Sequence, residues 1–177
     1  FPWPGARCGW IEFYNAERDE TFQRYTSAIL QQKMSEVCST TLPQMSIPRV
    51  MTHPEYPKYL NARIRRYEKL SNMAFNILKN VPYIVVNRTD GAFYMSVVFN
   101  EAVLNNQQTL PIEHDGIRQY IEKITSDNIE LDKRFVYYLL GSTGICVVPL
   151  TSFFTPLMGF RLTLLETDED RFEHTVK

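Results

Sequence analysis

The sequence is short of the residues that would make it a metal protein, a disulfide scaffold or a nucleic-acid binder. It holds three cysteines in 177 residues. Cys8, Cys38 and Cys146 are scattered, with no CxxC pair. Such a set fits buried free thiols in a reducing compartment better than a disulfide framework. His53, His114 and His174 are isolated too, so no metal-ligand spacing is present. Neither sign of charge is in excess, and the net charge is -1. Evenly spread charge excludes the basic stripe that nucleic acid requires and gives no reason to expect a membrane surface. Long apolar runs are missing as well. The most apolar stretch, 144–160, is interrupted by Pro149, Pro156 and several hydroxyl residues. No signal peptide and no initiator methionine are visible. A chain that opens on Phe1-Pro2-Trp3-Pro4 reads as cut, so a fragment of a longer cytoplasmic protein is expected.

What is present is an apolar fraction of 44%, enough for a globular core. There is no internal repeat. Helical and extended patterns alternate, which sets the class as α/β or α+β. Residues 7–14 read as a buried strand and 16–37 as a helix. Residues 42–51 read as a shorter helix that Pro48 would kink or divide. From 53 to 80 runs the longest helical pattern, with Leu60, Ile64, Tyr67, Leu70, Ala74 and Ile77 on one stripe. Two apolar runs, 82–87 and 92–99, flank Thr89-Asp90-Gly91 and predict a two-strand unit with a glycine turn. Residues 100–111 read as an exposed insertion. Helices are expected over 116–125 and 131–140, the second closed by Gly141 and Gly144. Short strands are expected over 145–149 and 160–165, separated by a loop rich in phenylalanine and proline. Thr167-Asp168-Glu169-Asp170 is a helix start.

Two arginines stand out chemically. Arg7 sits between a proline-rich turn and an apolar run. Arg161 sits on an apolar strand beside a glycine. A guanidinium in such a place is costly unless it has an anion to bind. The plain alternative is an ordinary ion pair. Phe153 and Phe154 read as core or lid packing before they read as substrate contacts. Cys8 and Cys146, on expected strands, read as inert core thiols.

Three segments together resemble one family. Pro4-Gly5-Ala6-Arg7-Cys8-Gly9-Trp10 is similar to the proline-glycine-arginine turn of class I/II pyridoxal-phosphate aminotransferases. Asp90-Gly91-Ala92-Phe93-Tyr94 is similar to a glycine-and-phenylalanine strand of theirs. Gly144-Ile145-Cys146-Val147-Val148-Pro149, with Phe153 and then Gly159-Phe160-Arg161-Leu162, resembles their C-terminal signature. Order and spacing agree over nearly the whole chain. The 144–149 run, with the insertion before it, looks most like alanine aminotransferases.

The resemblance implies an α/β fold of fold type I. Residues 1–52 would be the end of the large cofactor domain, 53–80 a connecting helix, and 81–177 the α+β small C-terminal domain. It implies pyridoxal 5'-phosphate as cofactor, amino acids and 2-oxo acids as substrates, and a homodimer. Arg7 would bind the cofactor phosphate, Arg161 would grip the substrate α-carboxylate, and Phe153 would lie on the substrate side. The lysine that carries the cofactor as a Schiff base would lie roughly two residues before Phe1. This chain alone would then be inactive. One departure falls at Leu150, where the family usually has glycine. A side chain there cannot take a positive φ cheaply, so the 151–158 loop is expected to differ. A lyase or synthase of the same fold, and a transcription regulator carrying such a domain without catalysis, would keep the same arginines.

Overall fold

The computed structural model describes residues 3–36 and 40–177. Cys38, and the end of the helix expected to reach residue 37, lie outside the described residues. The chain divides into two units, Phe1–Leu60 and Asn61–Lys177.

In the first unit a 3-10 turn, Pro4–Ala6, ends on Arg7 in the left-handed region at φ 50 and ψ 38. The strand expected over 7–14 does not form. That segment is irregular, and Trp10 and Tyr14 are 65% and 73% exposed. Aromatic and branched residues favour a strand only where a neighbouring strand completes the ladder. Among the described residues, this unit contains no strand. Helix α1 is Glu20–Lys33, shorter than the pattern suggested. Asp19 is extended and accepts the Phe22 N–H at 2.5 Å, so its carboxylate starts the helix. Helix α2, Thr41–Met51, runs through Pro48 without dividing. The proline removes one N–H from the ladder. At the C-terminal end, Thr52 returns both its N–H and its hydroxyl to the Pro48 carbonyl, at 3.0 and 2.8 Å.

Helix α3, Tyr56–Leu78, passes from the first unit into the second. Its later turns carry the buried residues Leu70, Ser71, Ala74 and Leu78, whereas Ile64 is 52% exposed. Four antiparallel strands follow: β1 Ile84–Val86, β2 Tyr94–Phe99, β3 Val148–Pro149 and β4 Gly159–Thr163. Their order across the sheet is β1-β2-β4-β3. The fold is therefore a mixture of helices with a small antiparallel sheet.

Period-two alternation sorts the two faces of this sheet. Met95 and Val97 are buried with Leu164, against Leu70, Ala74, Leu78 and Phe172. Full burial of one such side chain stabilises by about 1.5–3 kcal/mol. Phe99 and Phe160 meet Phe135, with ring centroids 4.9 and 5.7 Å from it. Residues of the opposite parity are Tyr94, Ser96, Arg161 and Thr163; Ser96 pairs directly with Arg161 across the β2–β4 ladder.

Phe135 belongs to helix α5, Leu131–Thr143, which packs on α4, Asp115–Ile124. Gly144 closes α5 in the left-handed region at φ 75, as expected. Gly141 does not close it but lies inside it. A Cβ there would sit 2.3 Å from Ile121 and 2.9 Å from Ile112, so the glycine is a point of close packing between the helices. The turn before β2 also differs from expectation, since the left-handed residue is Ala92 and not Gly91. Cys146 is exposed and precedes β3, so it is not the buried strand thiol expected.

The last helix, α6, is Glu169–Val176. Asp168 caps it, accepting the Arg171 N–H at 3.0 Å. Asp168→Ala should lower stability by about 1 kcal/mol, measured as a shift in the urea midpoint at constant slope. Just before it, Glu166 accepts the N–H groups of Asp168 and Thr167. Those bonds hold its carboxyl below the usual carboxylate range. Its contribution is thus present above the ordinary glutamate range and is lost as pH falls through the depressed value.

Candidate functional site

Arg161 is the third residue of β4 and projects from the solvent-side parity of the sheet. Two aromatic rings pack on it. The guanidinium carbon lies 4.2 Å from the Tyr94 ring centroid and 4.2 Å from that of Phe153. Tyr94 is placed by the ladder, two residues along β2 from Ser96. Phe153 comes from the 3-10 turn Leu150–Phe153, which follows β3 directly. The side chain is partly buried, and its Nε is buried with no hydrogen-bond partner. Among the described residues, no carboxylate forms an ion pair with it. The two rings supply cation–π attraction and exclude water. They cannot accept the guanidinium's N–H groups as a carboxylate does. The arrangement is a partly buried cation with no carboxylate paired to it among the described residues, which can receive an anion in two parallel bonds.

Of the residues singled out from sequence, Phe153 and Arg161 are brought together. Arg7 belongs to the other unit. Its exposed guanidinium donates one bond, from Nη1 to the Pro4 carbonyl at 3.3 Å, and has no carboxylate partner among the described residues. Leu150 resolves the expected conflict at the glycine position. It is not in the left-handed region, and it is buried at 7% exposure. The left-handed residue is Phe154, at φ 57, where the turn ends.

The chain is similar to part of a known protein. Over 172 residues it is 56% identical to a protein of Methanocaldococcus jannaschii named an uncharacterized aminotransferase. The match takes in 97% of this chain and 40% of that relative, so the chain spans well under two thirds of the relative's length. No protein-family model matches the chain. Identity of this order over this length makes the two homologous over the shared region.

Two residues, one on Arg161 and one on the turn that carries Phe153, have no sequence signal strong enough to single them out. Tyr94 ends the Asp90-Gly91-Ala92-Phe93-Tyr94 motif, but its contact with Arg161 depends on the β2–β4 register. Asp132 reads in sequence as an acidic residue in the first turn of a helix, where it suits the dipole. In the structure it is fully buried, and both its oxygens bond to Thr151. His114 is a helix cap, its Nδ1 accepting the Ile117 N–H at 3.3 Å. A broad hollow elsewhere in the second unit is lined by Glu122, Asp127, Arg134 and Tyr138. It is no rival as an anion site. Arg134 spends its donors on the carbonyls of Gln108 and Thr125 and on the Tyr138 hydroxyl. Among the described residues no cluster of histidine, cysteine or carboxylate could hold a metal ion, and no helix is long and apolar enough to cross a membrane.

Proposed function

We propose that this chain is the C-terminal part of a class I/II, fold type I aminotransferase. The whole protein would use pyridoxal 5'-phosphate to move an amino group between an amino acid and a 2-oxo acid. One observation carries the reading: Arg161 is held by Tyr94 and Phe153 with its Nε buried and no carboxylate paired to it among the described residues. A partly buried guanidinium without a partner is unfavourable by itself. It becomes favourable when a small carboxylate arrives, and every amino acid and 2-oxo acid offers one. The name of the homologous protein supports the same class of reaction.

In this reading Arg161 takes the substrate α-carboxylate in a bidentate pair. Fixing that group orients the Cα–H bond for proton removal. Tyr94 and Phe153 keep water from the pair and strengthen it. Arg7 fits the cofactor phosphate, since its guanidinium is exposed and, among the described residues, commits one N–H, to the Pro4 carbonyl. A planar fork suits phosphate oxygens. When bound, pyridoxal phosphate supplies the electron sink that stabilises charge at Cα. The lysine that carries the cofactor would come from the part of the protein outside this chain. A cytoplasmic homodimer completes the reading.

The experiment is isotope transfer by the full-length protein. With pyridoxal phosphate, a ¹⁵N-labelled amino acid and an unlabelled 2-oxo acid, the label should appear in the amino acid derived from the acceptor. Release of the label as ammonia with loss of the side-chain substituent would place the protein among the lyases. A second expectation concerns Arg7→Ala. It should weaken retention of pyridoxal phosphate by about 10- to 100-fold, the value of a charge-assisted phosphate contact. Equilibrium dialysis followed by cofactor absorbance reads this directly. Unchanged retention would remove Arg7 from the site.

A further inference from the structure

Asp132 is the most deeply buried charged residue among those described, at 0% exposure. Among the described residues it does not pair with a cation. Its Oδ2 accepts the Thr151 N–H at 2.9 Å, and its Oδ1 accepts the Thr151 hydroxyl at 2.7 Å. The Thr151 carbonyl in turn accepts the Phe154 N–H at 3.2 Å. All the polar groups of Thr151 are therefore engaged. Burying a carboxylate is costly, and two good donors from one residue offset that cost only while the geometry is kept. What they keep is the turn Leu150–Phe153, joined to helix α5 through Asp132. The turn has a second anchor. The Leu150 side chain lies over Gly159, where an added Cβ would come 2.9 Å from Leu150 Cδ1. Phe153, two residues after Thr151, is thereby set at 4.2 Å over the Arg161 guanidinium. Phe154, just past the turn, is fully exposed and contributes no packing to hold it.

We propose that Asp132 is a positioning residue for the carboxylate site: by taking both donors of Thr151 it fixes the turn that seats Phe153 on Arg161. The inference rests on the reading of Arg161 as a carboxylate receptor. Asp132 touches neither substrate nor cofactor and acts through Thr151 and Phe153. Without it the turn is free to lift Phe153. Arg161 then becomes more solvated, and its hold on a carboxylate weakens. The same two hydrogen bonds can be made by asparagine, whose oxygen accepts the N–H and whose amide donates to the hydroxyl.

The test uses the full-length protein with its cofactor. It reads KM and kcat for an amino acid and the inhibition constant of propionate, a carboxylate without an amino group. Asp132→Ala should raise both KM and the propionate constant by about 10-fold while kcat falls by less than about 3-fold, because a ground-state contact is lost. Thr151→Val should raise both constants by about 3- to 5-fold, less than the full worth of a hydrogen bond to a charged group, because the Thr151 N–H bond to Asp132 is kept and the turn is only partly freed. Asp132→Asn and Thr151→Ser should return both to within about 2-fold of the parent. In a Phe153→Leu background, Asp132→Ala should add nothing, because the two act in series. Full additivity in that background, or a fall in kcat with the propionate constant unmoved, would overturn the proposal. Should Asp132→Ala fail to fold, the Thr151 pair and its cycle with Phe153→Leu decide. Arg161→Ala separates the two levels. If it leaves the propionate constant unchanged, the carboxylate reading itself fails. If it raises the constant while the Asp132 and Thr151 variants do not, only the positioning role fails.

Discussion

Replacing Arg161 with alanine in the full-length protein should raise the KM for an amino acid by about 100-fold and lower kcat/KM by at least as much. The magnitude follows from what is removed. A hydrogen bond to a charged group contributes about 1.5–3 kcal/mol, and a bidentate pair on a carboxylate lies in the upper part of that range. Losing about 2.7 kcal/mol is a factor of about 100. Arg161→Lys should recover only part of this. An ammonium is a point charge that cannot make the planar fork, and it stacks less well on Tyr94 and Phe153. The fold should survive both changes, because Arg161 lies on the parity of β4 opposite the core formed by Met95, Val97 and Leu164. The melting temperature should therefore move little, and the absorbance of bound cofactor should persist. Steady-state kinetics beside a thermal melt separates this outcome from general damage. A KM that stays at the parent value would show that the guanidinium does not receive the carboxylate.

Gly159→Ala should be the most destabilising single methyl that can be added near the site. Gly159 pairs with Val98 where β2 and β4 run side by side. A Cβ at this position would lie 2.1 Å from the Val97 carbonyl oxygen and 3.0 Å from the Val98 Cα. Both are backbone atoms, so no rotamer change can relieve the overlap. The strands must separate, or the residue must twist out of the ladder. Overpacking in a closely packed core costs about 1–3 kcal/mol and sometimes more, and a backbone clash belongs at the upper end. A loss of about 3 kcal/mol is expected in urea unfolding, with an unchanged slope. The same shift would displace Leu150, which sits over this glycine, and with it the turn that carries Phe153. Amino-acid KM should rise alongside the loss of stability. Alanine accepted with wild-type stability would mean that β2 and β4 do not approach as described.

The elements legible in the sequence were those whose signal is local. The acidic start of α6 at Asp168, the glycine that closes α5 at Gly144, and the apolar runs on either side of Thr89-Asp90-Gly91 each follow from chemistry within a few residues. Residues 7–14 misled because their aromatic content promises a strand, while the pairing partner that makes a strand is not a property of the segment. Gly141 misled in the opposite way. A glycine near a helix end reads as a stop, yet this one marks where Ile121 and Ile112 press against α5. For the site, Arg161 was legible as a charge on an apolar strand, and Phe153 through its family pattern. Tyr94 and Asp132 were not. Tyr94 meets Arg161 only through strand register, and Asp132 meets Thr151 across 19 residues of chain. Contacts of that separation leave no periodic trace.

The central claim is that Arg161 receives the carboxylate of an amino acid whose amino group is transferred and not lost. The half-reaction tests it most directly. Full-length protein saturated with pyridoxal phosphate is mixed with single amino acids and no 2-oxo acid acceptor, and the 2-oxo acid and ammonia released are counted. The account predicts about one equivalent of 2-oxo acid per site and no ammonia, after which the reaction stops until an acceptor is added. Continued turnover with ammonia release, or no 2-oxo acid from any amino acid by protein that retains its cofactor, would contradict it.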